Sequence, residues 1–78
     1  MNYVVYILYS EVLKGYYVGQ TNNIVKRVET HNCGGKKYTS KGVPWTLIKT
    51  FDCVTHSEAL QLEKRIKKRG IRRYLEKL

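Results

Sequence analysis

The sequence predicts a small α/β (α+β) domain with its elements in the order strand, strand, helix, strand, helix, helix. Three observations carry that expectation. Tyr3-Val4-Val5-Tyr6-Ile7-Leu8-Tyr9 is an unbroken apolar and aromatic run with the length and composition of a buried strand. Ile24 and Val28 stand four apart directly after Asn22 and Asn23, which is helical spacing behind polar caps. Thr55-His56-Ser57-Glu58 has the form of a capping box ahead of a second helical stretch.

Side chains alternate across a strand, so Val4, Tyr6 and Leu8 share one face of the first run, and Tyr3, Val5, Ile7 and Tyr9 the other. Ser10 to Gly15 is polar enough to turn the chain, with the reversal at Lys14-Gly15. A second strand, about Tyr16 to Gln20, then completes an antiparallel hairpin. Tyr6 and Tyr17 become neighbours only in a favourable register, which the hairpin alone leaves open. The first helix is expected from Ile24 to His31 or Asn32, closed by Cys33-Gly34-Gly35. Pro44 admits only the start or edge of a strand, so the third strand should begin just after it, over Trp45 to Phe51. Strict alternation there puts Trp45, Leu47, Lys49 and Phe51 on one side and Ile48 on the other.

From a Thr55 cap, the next helix should reach about Arg69, before Gly70. Ala59, Leu62 and Ile66 form its core-facing arc, extended by Leu60. Ile71, Tyr74, Leu75 and Leu78 mark a short final amphipathic helix. No repeat, low-complexity tract or linker divides the chain, so residues 1–78 are expected to form one domain.

Fifteen basic residues against six acidic ones give a net charge of +9 on 78 residues. Such a field attracts polyanions, either nucleic acid or an anionic surface, the alternative being charge kept for solubility alone. No apolar run approaches the length of a membrane span and no signal-peptide pattern opens the chain, so the expectation is a cytoplasmic protein with no membrane partner. From Ser57 onward, Lys64, Arg65, Lys67, Lys68, Arg69, Arg72, Arg73 and Lys77 face only Glu58, Glu63 and Glu76, concentrating 8 − 3 = +5 of the charge there. This stripe is suited to a nucleic-acid backbone. Lys36-Lys37-Tyr38-Thr39-Ser40-Lys41-Gly42 is a second candidate, equally readable as a phosphate-binding loop or a solvated one.

Cys33 and Cys53 are expected to be reduced. His31-x-Cys33 and Cys53-x-x-His56 together offer four zinc-type ligands, but ordinary small residues near loops explain the two cysteines better. Arg27 and His31 lie four apart on one face of the first helix, a fixed charge beside a titratable one, which suits phosphate handling. Glu63 falls inside the apolar arc of its helix, where a carboxylate needs a positive partner. Lys67, four residues on, and a divalent cation are equally suited to that role.

Taken together, these residues resemble the GIY-YIG nuclease superfamily, specifically its small single-domain members, which are similar to the N-terminal domain of an excinuclease. Val4-Val5-Tyr6 stands where the first signature tripeptide belongs and Tyr17-Val18-Gly19 where the second does. Arg27, His31, Lys37-Tyr38-Thr39 and Glu63 follow in the family's order and spacing, so the resemblance covers essentially the whole chain. Val4 replaces the glycine of the first signature. No asparagine follows Asn32, although some family nucleases carry one downstream of the metal-binding glutamate.

The resemblance implies a three-stranded antiparallel sheet flanked by helices and metal-assisted hydrolysis of a phosphodiester, in DNA rather than RNA. It implies that Glu63 holds one Mg²⁺ or Mn²⁺ and that Arg27 grips a non-bridging phosphate oxygen. Tyr6 acts as general base in this scheme, Tyr17 orients water or phosphate, and His31 relays a proton or hydrogen-bonds. A phenol titrates near ~10, so Tyr6 needs nearby cations for that role. Gly19 lets the backbone turn tightly beside the site. Lys36, Lys37, Tyr38, Thr39, Lys41, Lys64, Lys67 and Lys68 are the expected nucleic-acid contacts. The expected activity is structure-selective cutting in DNA repair, with a protein partner for targeting. The alternatives are a nucleic-acid-binding module of the same fold that does not cut, and a zinc-bound or structural partner protein.

Overall fold

The structure, a computed structural model, describes residues 2–32 and 41–77. It consists of β1 (Tyr3–Ser10), β2 (Gly15–Thr21), α1 (Ile24–Asn32), β3 (Trp45–Cys53), α2 (His56–Arg69) and α3 (Ile71–Glu76). The expected order is the observed one. The strands run slightly further than their apolar runs, because ladder pairing continues through Ser10, Thr21 and Cys53. All three strands are antiparallel in the spatial order β2-β1-β3, which puts β1 at the centre and leaves it the most buried.

The hairpin register sets Tyr6 opposite Gly19 and Leu8 opposite Tyr17. Directly opposed residues share a face, so Tyr6 and Tyr17 lie on the same side of the sheet, one rung apart. At the other edge, Ile7 pairs with Lys49 and Leu8 with Leu47, leaving Ile48 as an extra residue in β3. This bulge corrects the strict alternation expected for the third strand. Two residues of β3 oppose one step of β1, and the side-chain phase reverses across them. Trp45 and Leu47 therefore share the face of Tyr6 and Tyr17, while Lys49 and Phe51 share the opposite one.

The two faces are used differently. Val5, Ile7, Val18 and Cys53 point to one side and pack against Ala59 and Ile66 of α2, with Leu62, Ile71, Tyr74 and Leu75 completing the core. That apolar burial is the main cohesion available to so small a domain. α1 lies on the other side, where Ile24, Val28 and Leu47 line a shallow apolar groove.

Local chemistry sets the boundaries. Lys14 adopts a left-handed φ of 53° in the β1–β2 turn, and the Ser10 hydroxyl accepts from the Leu13 N–H at 3.1 Å. The Thr55 hydroxyl accepts from the Glu58 N–H at 3.1 Å and starts α2. Gly70, at φ 94°, ends α2 by donating its N–H to the Ile66 carbonyl and opens α3. His56 links α2 to the sheet through a 3.0 Å hydrogen bond with the Gln20 amide and a ring contact with Tyr3 at 5.2 Å. Cys53 is a buried core residue rather than a loop residue, and burial pushes its thiol pKa up, the opposite of what a thiolate ligand needs. Among the described residues, no three His, Cys, Asp or Glu side chains gather in a metal-binding group.

Candidate active site

Tyr6 projects from the middle of β1 and is 1% exposed. Its ring lies over β2 at Gly19. A Cβ on Gly19 would stand 2.6 Å from the Tyr6 hydroxyl and 2.9 Å from Cζ, closer than real contacts allow. Gly19 is therefore glycine because the phenol occupies the place of a side chain, not because the chain turns there; β2 runs straight through to Thr21. This corrects the turn role expected of Gly19. Tyr17, one rung along the same face, puts its ring 6.4 Å from that of Tyr6.

Arg27 reaches this face from α1. The helix is held at its start by the Asn23 carboxamide oxygen, which accepts from the Lys26 N–H at 3.2 Å. Thr21 accepts from the Asn23 N–H at 3.1 Å and joins β2 to that cap. Arg27 sits half-buried with Thr21, Asn22, Asn23, Lys26 and Thr30 around a cavity of about 200 Å³. Two cations and several amide and hydroxyl groups make that cavity suited to an anion.

Glu63 comes from α2, the helix that crosses β2 and β1. Its side chain is 18% exposed, and its Oε2 accepts a 2.9 Å bond from Lys67 Nζ. The structure thus shows the Lys67 partner in place, and leaves a carboxylate oriented and largely shielded from water.

Electrostatics ties the four together. Burial pushes the Tyr6 phenol up to about 12; Tyr17 and the Glu63 carboxylate push the same way, and the Arg27 guanidinium draws it down. Each of the three is close enough for its charge to reach the Tyr6 oxygen. Tyr6, Tyr17, Arg27 and Glu63, spread over 58 residues of sequence, are thus brought within electrostatic reach of one phenol. At neutral pH, Tyr6 holds its proton and is a hydrogen-bond donor in the free protein.

His31 lies within the last turn of α1, but its side chain falls outside the described residues, as do Lys36, Lys37, Tyr38 and Thr39. Lys41, Lys64 and Lys68 are exposed, as is Lys67 beside Glu63. Two contributors went unforeseen in the sequence. Trp45 is 3% exposed and sets its ring 6.1 Å from Tyr17, edge to face. Asn32 bonds the backbone of Trp45 through both ends of its carboxamide. Strict alternation does place Trp45 opposite Ile48, but nothing local says which face of the sheet that is.

The GIY-YIG catalytic domain model matches residues 2–74, nearly the full chain. The chain belongs to the GIY-YIG family. Its relatives include a UPF0213 protein of Bacillus licheniformis, 42% identical over 64 residues that make up 77% of this chain and 66% of the relative. A UPF0213 protein of Halobacterium salinarum is 45% identical over 53 residues, 67% of this chain and 69% of that one. The chain thus spans about two thirds of the length of these relatives. Among solved structures, a UPF0213 protein from Bacillus halodurans, determined by solution NMR, is similar with a TM-score of 0.60 and 31% identity over 97% of this chain and 81% of that one. The GIY-YIG family is a nuclease family, and the matched residues 2–74 include Tyr6, Tyr17, Arg27 and Glu63. No helix among the described residues is long and apolar enough to cross a membrane.

Proposed function

We propose that this GIY-YIG protein is an endonuclease that hydrolyses phosphodiester bonds in DNA with one Mg²⁺ or Mn²⁺. The observation that carries the reading is that Tyr17, Arg27 and Glu63, from three different elements, all act electrostatically on the Tyr6 phenol, with the Tyr17 ring 6.4 Å from it. Glu63 fits a hard cation: it is a carboxylate, held in place and largely shielded, and would hold the ion with water and phosphate oxygens as the remaining ligands. When bound there, such an ion neutralises charge on the phosphate and the leaving oxygen. Arg27, beside its polar cavity, grips a non-bridging oxygen and stabilises the charge that develops on it. Tyr17 orients water or phosphate through its hydroxyl. Tyr6, protonated at rest, donates a hydrogen bond into the site; it can take a proton from water only as the phenolate, after its own proton has passed to solvent, a loss that added positive charge would favour.

The lysines and arginines of α2 and α3 are exposed and bind the nucleic-acid backbone rather than read bases, so cutting is selective for structure more than for sequence. In this reading the protein acts in repair, with a partner protein for targeting. One observation favours a second reading, a DNA-binding module that does not cut: Lys67 already neutralises Glu63.

The deciding experiment is cleavage of labelled duplex, single-stranded, flap and four-way-junction DNA with Mn²⁺. Glu63→Ala and Arg27→Ala are run beside the parent protein. Cleavage should fall at least about a hundredfold in both variants, with melting temperature nearly unchanged. Retained cutting in either variant refutes the assignment; binding without cutting by all three selects the second reading.

A further inference from the structure

We propose that Asn32 is a positioning residue for the tyrosine side of the site, acting through Trp45. This rests on the nuclease reading above. The Asn32 Nδ2 group donates to the Trp45 carbonyl at 3.3 Å, and its Oδ1 accepts from the Trp45 N–H at 2.6 Å. The carboxamide thus imitates one rung of an antiparallel ladder, pairing with both polar groups of one β3 residue. It joins the last residue of α1 to the first residue of β3, two elements that the chain itself connects only through residues 33–44.

Two consequences converge on the site. The Arg27 helix is docked at its C-terminal end against the face that carries Tyr6. Trp45, its backbone held at that point, turns an edge to Tyr17 at 6.1 Å, and Tyr17 in turn lies 6.4 Å from Tyr6. Gly42 completes the support: a Cβ there would run into the indole, so that wall is packed closely around Trp45. The chain Asn32, Trp45, Tyr17, Tyr6 is one contiguous set of contacts from the end of α1 to the centre of the sheet. Only a carboxamide of this length fits. Asp keeps the acceptor but sets a carboxylate against the Trp45 carbonyl, Gln is one methylene too long, and Ala leaves both backbone groups without this partner.

Trp45 is the one tryptophan of the chain, so its fluorescence reports the clamp directly, independent of cleavage. The test compares the parent protein with Asn32→Ala, Asn32→Asp and Trp45→Phe, which keeps the backbone rung but removes the indole. Asn32→Ala should retain its circular dichroism, shift Trp45 emission to the red and raise its acrylamide quenching. Its kcat on DNA with Mn²⁺ should fall about tenfold to a hundredfold with a much smaller change in KM, since the exposed lysines and arginines of α2 and α3 are untouched. Trp45→Phe should lower kcat less, again with a smaller change in KM. A folded Asn32→Ala protein with parental emission or parental kcat overturns the proposal, and so does a rise in KM that accounts for the whole loss. Should Asn32→Ala fail to fold, Asn32→Asp decides by the same readouts. If the parent protein does not cut at all, the nuclease reading fails by itself, and the emission of Asn32→Ala still decides the clamp.

Discussion

The two faces of the sheet are built from alternate residues of the same strands, yet they follow different rules. Toward α2 and α3, Val5, Ile7, Val18 and Cys53 meet Ala59 and Ile66 in an apolar layer held by burial. Toward α1, Tyr6, Tyr17 and Trp45 meet as aromatic rings with polar groups, and the contacts that matter are oriented ones: the Asn32 rung, the ring edges and the phenol over Gly19. A nondirectional layer tolerates substitution by volume, whereas an oriented layer depends on particular atoms. One strand thus divides stability from chemistry position by position, and a domain this small leaves little margin on either side. Glu63 is the exception that joins the layers, since it belongs to the helix that closes the apolar side yet acts on Tyr6.

The sharpest challenge to this division is a truncation in the apolar layer. Ile66 is completely buried, so Ile66→Ala should cost about 2–5 kcal/mol in urea unfolding, enough to empty the native state of a marginal domain. A loss under about 1 kcal/mol would show that this layer does not carry the stability.

A second test titrates both layers together. The folded value of Tyr6 is about 12, against ~10 for a free phenol, and the Cys53 thiol is also raised by burial. In both cases the folded state holds its proton more tightly than the unfolded one. The contribution is therefore complete below the unfolded pKa values and is lost as pH rises toward the folded ones. For Tyr6, that loss amounts to about 2–3 kcal/mol between pH ~10 and ~12. Stability followed across that range should decline less steeply in Tyr6→Phe, the remaining slope belonging to Cys53 and the other alkaline groups. Identical profiles would mean the Tyr6 phenol is not the shielded group described above.

The smallest effect is expected at the ion-pair partner of Glu63, the residue joining the layers. Lys67→Ala breaks a partly exposed pair and should change stability by less than about 0.5 kcal/mol. It should nevertheless lower the Mn²⁺ concentration needed for half-maximal cleavage several-fold, because the lysine no longer occupies the Glu63 carboxylate. An unchanged or higher metal requirement would show that Lys67 assists the carboxylate instead of competing for it.

Much of this was legible from short-range pattern. The strand runs, the turn before Gly15, the Thr55 cap, the break at Gly70 and the arc of Ala59, Leu62 and Ile66 are consequences of backbone sterics and periodicity, which neighbours in sequence determine. The order of the elements followed, and Tyr6, Tyr17, Arg27 and Glu63 could be picked out as candidates because their spacing is a sequence property. How the pieces meet was settled in three dimensions. The hairpin register, which sets Tyr6 and Tyr17 on one face, is a pairing choice between strands that each strand is free to shift. The Ile48 bulge, which moves Trp45 and Leu47 to the Tyr6 face, leaves no mark in the run Trp45-Thr46-Leu47-Ile48, because it comes from fitting β3 against β1. The reason for Gly19 is a ring that arrives from another strand, and the partner of Asn32 lies 13 residues away. Local sequence determined what each segment becomes; contacts between distant segments decided which side chains face one another, and the candidate site exists only at that second level.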